Sequence, residues 1–127
     1  MSTSKKISPE EFKKFLDNVF VGNPDDARSF CESTISPSYL RFMAGGDKTD
    51  FQRAVEKVAY FREKCHTWKS SIVFFAQENN KIAARLLCDL GIGDEPAKKM
   101  ELMFMAELDE QGLYESVWEQ ATEWVGQ

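Results

Sequence analysis

The sequence predicts one α+β domain over residues 1–127, three helices followed by an antiparallel meander. Two observations carry this. Up to residue 65 apolar side chains recur at the 3.6-residue spacing of amphipathic helices, and from residue 68 the pattern changes to strand-like runs parted by turn residues. Helices grouped before strands give an α+β order rather than the alternation of a parallel sheet. Composition fits a single core: 43% of residues are apolar and 13% aromatic, with ten Phe, over a length too short for two domains.

The first helix opens at Ser8-Pro9-Glu10-Glu11, a capping box with Pro at the first helical position. Its stripe is Phe12, Phe15, Leu16, Val19 and Phe20, and Gly22 ends it. Asn23-Pro24-Asp25-Asp26 starts a shorter second helix with Ala27, Phe30 and Cys31 inward, finished before Pro37. Residues 38–44 form a candidate strand closed by the Gly45-Gly46-Asp47 turn. Thr49 and Gln52 read as a second capping box, opening a third helix with Phe51, Ala54, Val55, Val58, Phe61 and Cys65 on one face. Strands follow at 68–77, 82–90, 98–108 and 113–121, with a hairpin turn at Glu78-Asn79-Asn80-Lys81 and longer turns at 91–96 and 109–112. These strands are apolar on both sides: Leu102, Phe104 and Ala106 alternate with Met103 and Met105. A sheet with one wet face alternates apolar with polar, so both faces are expected to be covered, one by the helices and one by a second copy of the chain.

Several function classes fall away. A net charge of −5 is the wrong sign for tracking phosphates, so nucleic acid is not an expected partner. No apolar run approaches the roughly 18 residues of a membrane span, and the N-terminus, Met-Ser-Thr-Ser-Lys-Lys, lacks the apolar core of a secretory signal. Cys31, Cys65 and Cys88 read as reduced thiols of a cytoplasmic protein. With one His and no C-x-x-C, no metal and no cofactor are expected. Gly91-Ile92-Gly93 lacks the third glycine and the strand-to-helix setting of a dinucleotide fingerprint.

Three further features carry a family resemblance: the helix-helix-turn-helix start, Asn80-Lys81-Ile82-Ala83-Ala84-Arg85 on a central strand, and Met103 to Gly112 running into Tyr114-Glu115-Ser116-Val117-Trp118-Glu119. In these the chain resembles the SnoaL-like branch of the nuclear transport factor 2-like superfamily, the branch of polyketide cyclases and limonene-epoxide-hydrolase-like proteins. The resemblance implies a cone, a curved antiparallel sheet wrapped around the N-terminal helices, with an apolar pocket between them and a homodimer through the outer sheet face. It further implies a cofactor-independent enzyme of small hydrophobic metabolites, an isomerase, cyclase or dehydratase of a polyketide- or terpenoid-like compound. The alternative is a non-catalytic ligand-binding or dimeric adaptor domain of the same fold.

The resemblance places a catalytic carboxylate seven residues after the turn glycine, which is Glu119, and an Arg on the central strand, which is Arg85. Strand parity puts Arg85 with Leu87, and Val117 with Glu119, on the pocket side; Leu86, Cys88, Leu102, Phe104, Ala106, Ser116 and Trp118 would then face outward. A carboxylate opposite an Arg in an apolar cavity can orient a substrate or move a proton, or can serve as a structural ion pair. The chain departs from the family pattern at Met105, where the cyclases carry a partner His, and at Leu87, where the hydrolases carry a second Asp. His66, just beyond the third helix, is a further catalytic candidate or a helix-end residue. Leu87, Met103, Met105, Val117, Tyr60 and Tyr39 complete the expected ligand wall.

Overall fold

The computed structural model describes residues 5–124, so the reading of the first residues as no secretory signal lies largely outside it. Three helices, α1 (Pro9–Phe20), α2 (Ala27–Thr34) and α3 (Phe51–Lys64), cover one face of a six-stranded sheet. Its strands are β1 (Ile35–Met43), β2 (Lys48–Asp50), β3 (Cys65–Glu78), β4 (Lys81–Ile92), β5 (Lys98–Leu108) and β6 (Tyr114–Glu123), in the order β2-β1-β6-β5-β4-β3. The meander β3 to β6 is antiparallel, as expected. The sheet as a whole is mixed, because β1 lies parallel to β6. It is open, with β2 and β3 at its edges. No described helix is long and apolar enough to cross a membrane.

Local chemistry explains the helix ends. Ser8 accepts from the Glu11 amide while the Glu11 carboxylate accepts from the Ser8 amide, the reciprocal box the sequence predicts. The third helix is capped differently from its expectation: Asp50 accepts from the Arg53 amide. Thr49 belongs to β2, where it is buried and its hydroxyl accepts from Lys57. Asp at the position before the helix is as good a cap as Thr, and pairing with β1 claims Thr49 first. Cys65 begins β3 instead of ending α3.

The core lies between helices and sheet. Phe12 of α1 is fully buried and its ring meets Phe104 at 4.9 Å and Phe75 at 5.6 Å. Leu86, Cys88, Leu102, Phe104 and Ala106, expected on the outside, are buried on this inner face, while Ser116 and Trp118 do face outward. The reason is a bulge at the β5–β6 hairpin. Leu108 pairs with Tyr114 but Glu107 pairs with Ser116, leaving Glu115 without a partner. One extra residue reverses which side of β6 each later residue takes, so Glu119, not Trp118, stands opposite Phe104.

Asp17 ties α1 to the edge strand β3. Its carboxylate accepts from Trp68 Nε1 and Ser70 Oγ at 2.7 Å each and from Lys13 Nζ at 2.8 Å. Partial burial pushes its pKa up, but the three donors outweigh it and hold the group below its ordinary 3.8. Asp17→Ala is expected to destabilise the fold by roughly 2 kcal/mol at neutral pH, because Trp68 and Ser70 lose a charged acceptor. The folded-state pKa is depressed, so this contribution is present above the ordinary value and fades as pH falls through the lowered one. Urea titrations of both proteins across acid pH should therefore converge; a difference that persists undiminished in strong acid would rule the carboxylate out as its source.

Candidate functional site

Two of the hollows among the described residues are lined mainly by apolar side chains, one on each side of the sheet. The larger, about 770 Å³, is an open trough on the outer face, among Val73, Phe74, Met103, Met105 and Trp118. The smaller, about 70 Å³, lies between helices and sheet and is walled by Phe15, Phe20, Phe30, Val58 and Phe61. Size favours the first. Chemistry favours the second, because a few convergent polar groups in an apolar wall are what a small-molecule site needs. Those groups are Tyr39 and Arg41 of β1, Thr49 of β2, Lys57 of α3 and Glu119 of β6.

Glu119 reaches the cavity because of the bulge, and Arg41 reaches it because β1 lies alongside β6, with Arg41 in register with the inward Val117. Arg41 Nη1 donates to Glu119 Oε1 at 3.1 Å, with only 17% and 12% of the two side chains exposed. Arg41 Nε is buried and has no hydrogen-bond partner among the described residues. Lys57 Nζ donates to Thr49 Oγ1 at 3.0 Å and to Asp47 Oδ2 at 3.3 Å. Burial pushes the Tyr39 hydroxyl far above its ordinary pKa, with Arg41 pulling down and Glu119 pushing up less strongly, so it stands as a neutral donor. Burial likewise pushes the Cys31 thiol, also in the wall, up to about 11, which makes it inert.

Of the residues singled out in the sequence, Glu119 and Tyr39 line this cavity. Arg85 does not face Glu119. It pairs with Met103 of β5 and Phe74 of β3, projects from the outer face, and donates to Glu101 with its guanidinium over the Trp124 ring. Leu87 follows it to the outer face, and Met103 and Met105 are exposed there. Val117 does face inward but is buried in the core beside Ala106. Tyr60 is half exposed on α3, with its ring edge-on to Phe61. His66 is exposed, bonded to Thr67 Oγ1 and to the Glu95 carbonyl; it pins the turn after β4 and is not part of the cavity wall. Arg41, Thr49 and Lys57 escaped the sequence reading. A signal for Arg41 existed: it is the one charge in Tyr39-Leu40-Arg41-Phe42-Met43, two residues from the inward Tyr39. Among the described residues no group of three or more His, Cys, Asp or Glu could hold a metal ion.

No family model and no curated sequence matches the chain. Solved structures do. A protein assigned as an isomerase from Rhodopseudomonas palustris aligns over 92% of this chain and 90% of its own, with a TM-score of 0.72 at 9% identity. A protein with a ketosteroid isomerase-like fold from Catenulispora acidiphila, in complex with trimethylamine, covers 89% and 85% at 0.69 and 9%. A protein assigned as a SnoaL-like polyketide cyclase from Jannaschia covers 93% and 91% at 0.64 and 10%. Identities this low establish the fold, and it is the SnoaL-like, nuclear transport factor 2-like fold that the sequence resembles.

The inner ion pair and the outer one should behave differently on mutation. Removing one partner of a buried pair leaves an uncompensated charge, so Arg41→Met alone is expected to destabilise by roughly 3 kcal/mol. The double change Arg41→Met with Glu119→Leu should recover most of that loss or exceed wild-type stability. Arg85→Met, at the outer pair with Glu101, should cost less than about 1 kcal/mol. Chemical denaturation of the four proteins checks this, and equal losses from Arg41→Met and Arg85→Met would contradict the inward placement of Arg41.

Proposed function

We propose that the chain is a cofactor-independent enzyme of small hydrophobic metabolites, of the isomerase, cyclase or dehydratase type, working in the inner cavity on a polyketide- or terpenoid-like compound. One observation carries it: a largely buried carboxylate on the wall of an apolar cavity, with one of its oxygens held by an arginine. The names of proteins sharing the fold, an isomerase and a polyketide cyclase among them, support the class. In this reading Glu119 takes over the acid/base work alone, and Arg41 holds the place the sequence gave to Arg85. Glu119 Oε2 removes a proton from carbon next to a substrate carbonyl, the oxygen gathers the charge, and the neutral Tyr39 hydroxyl donates to it. Return of the proton to a different carbon completes an isomerisation and restores the carboxylate. Three free thiols, two of them buried, suit the reducing cytoplasm.

The cavity volume favours a second reading. Its roughly 70 Å³ is far below the several hundred of a metabolite pocket, as a non-catalytic domain would have it. The enzyme reading requires the phenylalanine wall to part around the substrate. A homodimer through the outer face belongs to either reading. Phe74, Met103, Met105 and Trp118 are 43–59% exposed there, a contiguous apolar patch rarely left wet. A two-fold pair of chains would bury it on both sides at once.

Two variants separate these statements. Glu119→Gln keeps shape and should lower kcat by about 10²-fold or more on any turned-over substrate, with the near-ultraviolet dichroism unchanged; full activity in that protein would remove Glu119 from the chemistry. Met105→Glu puts a charge into the desolvated outer contact and should convert a sedimenting dimer to a monomer. Phe104→Glu, by contrast, should unfold the chain, since Phe104 lies in the core. A monomeric wild type at micromolar concentration would overturn the dimer.

A further inference from the structure

The guanidinium of Arg41 has five N–H donors in a planar fork. Glu119 engages Nη1. That leaves the side formed by Nε and Nη2, the edge that receives a carboxylate side-on through two parallel hydrogen bonds. Nε is the one buried side-chain nitrogen or oxygen without a partner among the described residues, and such an orphan is destabilising until an acceptor arrives. The charge count points the same way. The cavity wall itself carries two cations, Arg41 and Lys57, and one anion, Glu119; Asp47 bonds Lys57 from outside that wall, where it is exposed. Tyr39, held neutral by burial, adds a donor and no charge.

We infer that the ligand of the inner cavity is a small hydrophobic carboxylate, its carboxylate side-on against the Nε–Nη2 edge of Arg41 and its apolar body among the phenylalanines of α1, α2 and α3. This rests on the reading of the cavity as a small-ligand site and narrows it to a substrate class. A single bound carboxylate supplies the missing acceptor, sets a second anion against the two cations of the wall, and places its own α and β carbons beside Glu119. Arg41 then lies between two carboxylates and screens one from the other, while Lys57 lies on the same wall. A phosphate ester would bring a second negative charge that Arg41 and Lys57, already facing Glu119, do not balance. A neutral alcohol or ketone would give Nε an acceptor without the charge or the second oxygen that the fork takes, and a hydrocarbon would give it none.

Matched pairs test it: hexanoate against hexanamide, and 3-phenylpropanoate against 3-phenylpropanamide, with Kd measured by ligand-observed NMR at neutral pH. The carboxylates are expected to bind the wild-type chain at least tenfold more tightly than the amides. Arg41→Gln should weaken the carboxylates tenfold or more and leave the amides within twofold. Should Arg41→Gln fail to fold, the Arg41 Nε–H resonance of the ¹⁵N-labelled wild type gives the same answer, moving on addition of 3-phenylpropanoate and not of its amide. Amides that bind as well as carboxylates, or an Nε–H signal indifferent to both, overturn the carboxylate assignment and leave the cavity a ligand site. Failure of all four compounds to bind overturns the ligand site with it.

Discussion

At the hairpin between β5 and β6, Leu108 pairs with Tyr114 and Glu107 with Ser116, so the chain passes Glu115 without a cross-strand partner. Sides of a strand alternate with a period of two, and a single unpaired residue transposes every side chain that follows. The rest of the inner face depends on that transposition. It sets Val117 against Ala106 and Glu119 against Phe104, on the side the helices cover. An unbulged hairpin would place Trp118 there and turn the carboxylate to the outside. Bulges at strand ends commonly redirect a side chain in this way, and here the side chain redirected is a charged one.

A carboxylate turned into an apolar layer must be compensated, because its hydration is lost. Compensation comes from outside the meander. β1 lies parallel to β6, which brings Arg41 beside the inward positions of β6. Apolar side chains of similar volume would serve stability about as well as a buried ion pair, so the pair is not explained by what it contributes to folding. Its guanidinium is moreover left half used, with Nε unpartnered. A buried donor without an acceptor costs stability, so this arrangement is not one that folding alone favours.

The helices and the four long strands were legible because period and turn chemistry report local structure, and they do so independently of what pairs with what. Ser8 with Glu11 and the Glu78–Lys81 hairpin needed no tertiary knowledge. The face of each strand was another matter. Parity within β4 and within β6 was read correctly, but relating one strand to the next requires the register of the hairpin between them. Nothing in Asp109-Glu110-Gln111-Gly112 announces that the residue left over will be Glu115. Arg85 and Glu119 were consequently placed together although they lie on opposite sides. Arg41 was missed for a related reason: it meets Glu119 through a parallel contact between segments 78 residues apart, which no local pattern encodes. Thr49 was taken for a cap when pairing with β1 had the stronger claim on it.

The same register shift accounts for the outer face. By taking Glu119 inward it sends Trp118 outward, where the indole lies beside Met105 and stacks at 6.0 Å on Phe42 of β1. Met105 pairs in turn with Ala83, so an apolar row crosses four strands without a charge in it. Arg85, two residues farther along β4, and Glu101, four farther along β5, satisfy one another and keep their charges off the row. The cavity and the apolar row are therefore two consequences of one unpaired residue, back to back on β6 and joined by the peptide bond between Trp118 and Glu119. A strand held rigidly on its outer side by a partner would fix the direction of Glu119 on its inner side more firmly than the helices alone can. Covering the outer row and orienting the carboxylate are thus parts of a single physical requirement.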